Sequence, residues 1–113
     1  EKLVQNSPPK KTIYLFHSPP YNSSLDRAGL DGKKVDYAPV DVHVGSIAIK
    51  RFIEKYHPFL TLHGHIHETV SLTGKWREKK GKTLSFSACH DGSELAIIKF
   101  DTNNLENASR RLI

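Results

Sequence analysis

The tetrapeptide Gly64-His65-Ile66-His67 sets two imidazoles one residue apart, just beyond the apolar run Phe59-Leu60-Thr61-Leu62. In extended backbone that spacing separates the two Cα atoms by about 6–7 Å, from a rise of roughly 3.3 Å per residue. Metal pairs in phosphate-cleaving sites lie about 3.5–4 Å apart, so each ring can hold one ion of such a pair. Neutral imidazole is the commonest protein metal ligand. A third histidine, His17, closes the β-rich run Thr12-Ile13-Tyr14-Leu15-Phe16 and is followed by Ser18-Pro19-Pro20. Proline cannot donate to a strand ladder, so the chain leaves the strand there. In open α/β sheets, ligands gather beyond the carboxyl ends of strands. Two strand ends that each present histidine therefore mark a candidate metal site.

The elements that must position these residues are legible in outline. A polar lead-in over 1–11 precedes a strand over 12–17. Residues 18–45 read as one long polar connection carrying Asp26, Asp31, Asp36 and Asp41; connections of that length tend to be functional or mobile. Ile49, Phe52, Ile53 and Tyr56 then fall on one helical face. Ser46 is the expected N-cap, Lys50 and Glu54 an expected i,i+4 pair, and His57 and Pro58 the expected end. The strand Phe59–Leu62 follows, with His63 read as structural. Beyond the histidine turn everything reads as β. Thr69–Leu72 alternates loosely, Trp76–Lys82 is a charged hairpin tip, and Thr83–Ser87, Glu94–Phe100 and Leu105–Leu112 are strands. Cys89-His90-Asp91 reads as turn chemistry ahead of Gly92 rather than as a nucleophile, because neighbouring residues seldom face one point.

Composition bounds the function. A chain of 113 residues forms at most one domain, with 37% hydrophobic and 26% charged residues. No apolar run approaches the roughly 20 residues of a membrane span. Cys89 is the sole cysteine, so no internal disulfide forms, and a reducing, cytoplasmic setting is expected. The formal charge is +5, but the lysines and arginines are scattered in pairs without interleaved aromatics. Nucleic acid is therefore not expected as a partner, except as a substrate.

Several motifs agree in order with one family. Leu15-Phe16-His17-Ser18-Pro19-Pro20, Leu25-Asp26, His43-Val44-Gly45-Ser46 and Leu62-His63-Gly64-His65-Ile66-His67-Glu68 resemble the C-terminal half of the calcineurin-like metallophosphoesterases. The resemblance runs over residues 12–68, with 69–113 as a β-rich tail. It implies an α/β fold amounting to half of a four-layer α/β/β/α sandwich, with a mixed sheet, mainly antiparallel C-terminal strands and one clear helix. It also implies two divalent metal ions (Mn, Fe, Zn, Ni or Co). His17 and His65 would bind the second metal, His67 the first, and His43 would reach toward a phosphorylated substrate. The family's N-terminal motifs Asp-x-His, Gly-Asp-x-x-Asp and Gly-Asn-His-Asp/Glu are read as missing from this chain. No catalytic residue is therefore expected in this chain. The N-terminal half of the same domain, or another copy, is the expected partner, and the chain alone is expected to be inactive. The alternative is a non-catalytic module that binds metal or phosphate.

Overall fold

The computed structural model describes residues 2–32, 34–35 and 38–113. In chain order the elements are α1 (Lys2–Gln5), a 3-10 turn (Pro9–Lys11), β1 (Ile13–Leu15), β2 (Lys34–Val35), β3 (Ala38–Pro39), α2 (Ile47–Tyr56), β4 (Leu60–His63), α3 (Thr69–Thr73), β5 (Arg77–Lys80), β6 (Thr83–Ser87), β7 (Ala96–Asp101) and β8 (Asn104–Leu112). The chain is mixed α/β, as expected. Its main sheet has the order β1-β4-β6-β5. β1, β4 and β6 run parallel, and β5 returns antiparallel to β6. β7 and β8 form a separate antiparallel hairpin. Among the described residues no helix is long and apolar enough to cross a membrane.

Alternation along the strands gives the main sheet two unlike faces. Register sets Ile13 beside Leu60, and Leu15 beside Leu62. Leu60 and Leu62 in turn stand beside Leu84 and Phe86. Leu60, Leu84 and Phe86 are buried with Leu105 of β8, and Ile98 and Phe100 of β7 pack against them. The hairpin thus covers this face over β4 and β6. It does not reach β1, where Leu15 is 79% exposed. The opposite face carries Tyr14, Thr61 and Ser85 in one register row. There the rings of Tyr14 and Phe16 meet Phe52 of α2 with centroids 5.0 and 5.8 Å apart.

α2 has the boundaries its sequence predicts. The Ser46 hydroxyl accepts from the Ile49 amide at 3.1 Å, satisfying a donor the first turn leaves unpaired. His57 caps the other end in left-handed backbone (φ 50°), and buried Pro58 follows. Glu54 does not pair with Lys50; its carboxylate meets Lys80 Nζ at 2.8 Å, and that bond holds the carboxyl below its ordinary range. A long side chain on an exposed helix face reaches a charged neighbour on another element as readily as one a turn away.

Two further expectations are corrected. Thr69–Leu72, read as β, lies in the short helix Thr69–Thr73, which ends at Gly74 (φ 71°). The reason is tertiary: the Thr69 hydroxyl donates to the Ser24 carbonyl at 3.0 Å and accepts from the Arg27 amide at 3.0 Å, while the Thr73 hydroxyl donates to the Thr69 carbonyl at 2.8 Å. These bonds outweigh a weak β preference. Trp76–Lys82 is not all hairpin tip, since Arg77–Lys80 is the strand β5 and only Gly81 and Lys82 turn. Asp36, counted among the loop carboxylates, lies outside the described residues. Other parts of this connection are paired: Arg27 bridges His43 and Pro20 bridges Ser46.

Candidate functional site

Because β1 and β4 are parallel neighbours, their carboxyl ends open at the same edge of the sheet. His17 lies two residues beyond β1, and His65 two residues beyond β4. The Gly64 amide donates to the His17 carbonyl at 3.1 Å, which holds the two exits together. His65 then adopts left-handed backbone (φ 76°), a conformation that costs a non-glycine residue about 1–2 kcal/mol. The outcome is a close pair of rings: His17 and His65 have centroids 4.5 Å apart, inclined at 54°. A nitrogen about 2.1 Å from a metal ion puts its ring centre roughly 3.2 Å from that ion, so two rings bound at a right angle have centres about 4.5 Å apart. The centroid separation of this pair matches that spacing.

His67 lines an open cavity with His65, Cys89, His90 and Glu94, and His90 Nε2 lies 3.3 Å from Glu94 Oε2. Among the described residues no group of three or more His, Cys, Asp or Glu side chains is arranged to hold a metal ion. Two imidazoles at one corner, with no carboxylate beside them among the described residues, do not make up a dinuclear ligand set. The buried Cys89 thiol is pushed up in pKa chiefly by desolvation, which favours the unreactive thiol over the thiolate.

His63, two residues before His65, is spent on structure. Its Nδ1 is 2.9 Å from the Ser18 carbonyl and its Nε2 2.7 Å from the Thr61 hydroxyl. Its ring stacks on Phe16 at 5.7 Å. Burial pulls its pKa down to about 4, against a smaller opposing effect of the Ser18 bond. The ring is therefore neutral at pH 7, with Nδ1–H donating to the carbonyl and Nε2 accepting from the hydroxyl.

His43 is held by a residue that the sequence reading quoted but gave no role. Asp26 is fully buried. Its Oδ1 accepts from the Ser23 amide at 3.0 Å and lies 2.6 Å from His43 Nδ1. Its Oδ2 accepts from the amides of Asn22 at 2.8 Å and Gly45 at 3.0 Å. Gly45 is there because nothing larger fits: a Cβ would lie 2.7 Å from the carbonyl oxygens of Pro19 and Pro20. Asp41-Val42-His43 does spell Asp-x-His, against the reading of that motif as missing, and Asp41 Oδ1 accepts from the His43 amide at 2.9 Å. Asp41 takes the Tyr21 hydroxyl, a bond that raises the phenol and lowers the carboxyl. The signal that could have found Asp26 is its place between Leu25 and a later Gly-Ser helix entry, but only the loop's closure makes it a partner for His43.

The chain is 37% identical over 86 residues to the uncharacterized protein MJ1162 of Methanocaldococcus jannaschii, an alignment covering 74% of this chain and 34% of that protein. It thus spans about a third of the length of that relative. No protein-family model and no solved structure matches it.

Proposed function

We propose that this chain is the C-terminal part of a dinuclear-metal phosphoesterase that hydrolyses phosphate mono- or diesters, built as half of a four-layer sandwich. One observation carries the reading: His17 and His65 leave neighbouring parallel strands and bring their rings to 4.5 Å. In this reading His17 and His65 serve one ion and His67 the other, with imidazole favouring Mn, Fe, Zn, Ni or Co over an oxygen-loving cation. The remaining ligands come from the N-terminal half of the domain or from another copy, which accords with a relative about twice as long. Bound there, the metals would supply charge stabilisation and an activated water. A cytoplasmic setting agrees with one buried thiol.

The test is assembly. The chain expressed with the upstream part of its reading frame should cleave a chromogenic phosphodiester only when Mn²⁺ is present, and His65→Ala should abolish the cleavage. No turnover by an assembled, metal-loaded protein would overturn the proposal. The second reading, a non-catalytic metal- or phosphate-binding module, is favoured by the lack of a three-donor group among the described residues. It gains ground if calorimetry finds Zn²⁺ binding by the isolated chain that His65→Ala removes, with no activity in the assembled protein.

A further inference from the structure

The carboxylate of Asp26 makes four contacts, two at each oxygen, all from nitrogen. An ionised carboxylate offers about four lone-pair sites and no donor, so this one is fully used. Three of the four partners are backbone N–H groups and bring a proton with them. The fourth, His43 Nδ1 at 2.6 Å, must also carry its proton, since two acceptors at that distance repel. The carboxylate thereby fixes the tautomer of the ring. The other nitrogen, Nε2, makes no hydrogen bond among the described residues, and the side chain is 28% exposed while that of Asp26 is fully buried. The segment that carries His43 is clamped to the strand-exit loop, with the Ser46 amide on the Pro19 carbonyl at 2.8 Å and the Val44 amide on the Asp26 carbonyl at 3.1 Å. That loop begins directly after His17.

We propose that Asp26 is the positioning residue of His43: it locks the Nδ1–H tautomer and turns Nε2 outward as the ring atom that meets the phosphate group of a substrate. A carboxylate that orients an imidazole through Nδ1 and leaves Nε2 to the reacting group is a recurring device of proton-handling sites. Neutral, Nε2 accepts a hydrogen bond from a protonated phosphate oxygen or a water; after taking a proton it donates one to a phosphoryl oxygen. The tautomer follows from the dyad alone, whereas the contact with an ester rests on the phosphoesterase reading.

Ring nitrogen NMR on the intact chain, with inorganic phosphate as the probe, separates these layers. The expected result is an Nδ1–H tautomer for His43 and an Nε2 resonance that moves on phosphate addition. In Asp26→Asn the tautomer preference and the phosphate response should both be lost while the amide spectrum keeps its dispersion. If that variant does not fold, His43→Gln leaves the three backbone bonds of Asp26 in place, and the phosphate-induced amide shifts of residues 43–46 in the wild type should vanish in it without unfolding. An Nε2–H tautomer in the wild type, an unmoved Nε2 resonance, or a full phosphate response in folded Asp26→Asn or His43→Gln would overturn the inference. None of these readouts needs metal or turnover, so they fail separately from the phosphoesterase assay.

Discussion

His63 and His65 leave the same strand two residues apart and have opposite fates. His63 is buried, with both nitrogens bonded and its pKa pulled down to about 4. His65 is exposed, in left-handed backbone, against the ring of His17. In continuous extended backbone the two rings would share a face, because strand side chains repeat every second residue. Gly64 and the positive φ of His65 break that repeat. One ring stays against Phe16 while the next swings to the edge of the sheet. A histidine inside the ladder is fixed by packing, and one just past it is freed by a turn and becomes available to chemistry.

The largest expected effect tests the structural side of this contrast by pH. Unfolded His63 has an ordinary pKa near 6.5, and folded His63 one of about 4, so between those values the unfolded chain binds more protons. The stability it confers is complete above about pH 6.5 and is lost as pH falls toward 4, a change on the order of 3 kcal/mol. Urea melts of wild type and His63→Gln across that window should show a shallower acid slope in the variant; equal slopes would break the contrast. Next, His63→Ala at neutral pH should cost about 2 kcal/mol, because the Thr61 hydroxyl and the Ser18 carbonyl lose their shared partner in a buried site. A cost near zero in a denaturant titration would place His63 with the exposed rings.

His65→Gly should run the other way. Glycine accepts a positive φ, so a gain of about 0.5–1 kcal/mol in unfolding free energy is expected, together with loss of any Zn²⁺ binding that calorimetry detects in the wild type. A destabilised variant would mean that the His65 ring is held by packing like that of His63. The smallest effect concerns the bare end of the sheet, where Leu15 is 79% exposed and Phe86 in the same row is fully buried. Leu15→Lys should change stability by less than about 0.5 kcal/mol yet reduce self-association in sedimentation, since exposed apolar surface on an edge strand invites contact. An unfolded Leu15→Lys chain would show that β1 is covered after all.

Local signals account for what was legible. The Ser46 cap, the apolar stripe Ile49–Tyr56 and the stop at His57–Pro58 are decided within one turn of backbone, and the helix has those limits. Thr83–Ser87 and the strands about Asn103–Asn104 follow from alternation and turn chemistry. What was not legible depends on partners far along the chain. Thr69–Thr73 is helical because Ser24 and Arg27 meet its hydroxyls from more than forty residues away. Asp26 matters because the loop folds back to set His43, seventeen residues later, on its carboxylate. Glu54 leaves its neighbour for Lys80 for the same reason.

By itself the sequence determined which residues are of metal-binding type and where α2, β4 and β6 lie, because side-chain type and hydrophobic period act over a few residues. Only the tertiary structure decided which imidazoles meet. The parallel pairing of β1 with β4 brings His17 to His65, the positive φ of His65 aims that ring, and the strand interior keeps His63. Distance in space between groups remote in the chain is set by strand pairing and loop closure, and no local pattern encodes it.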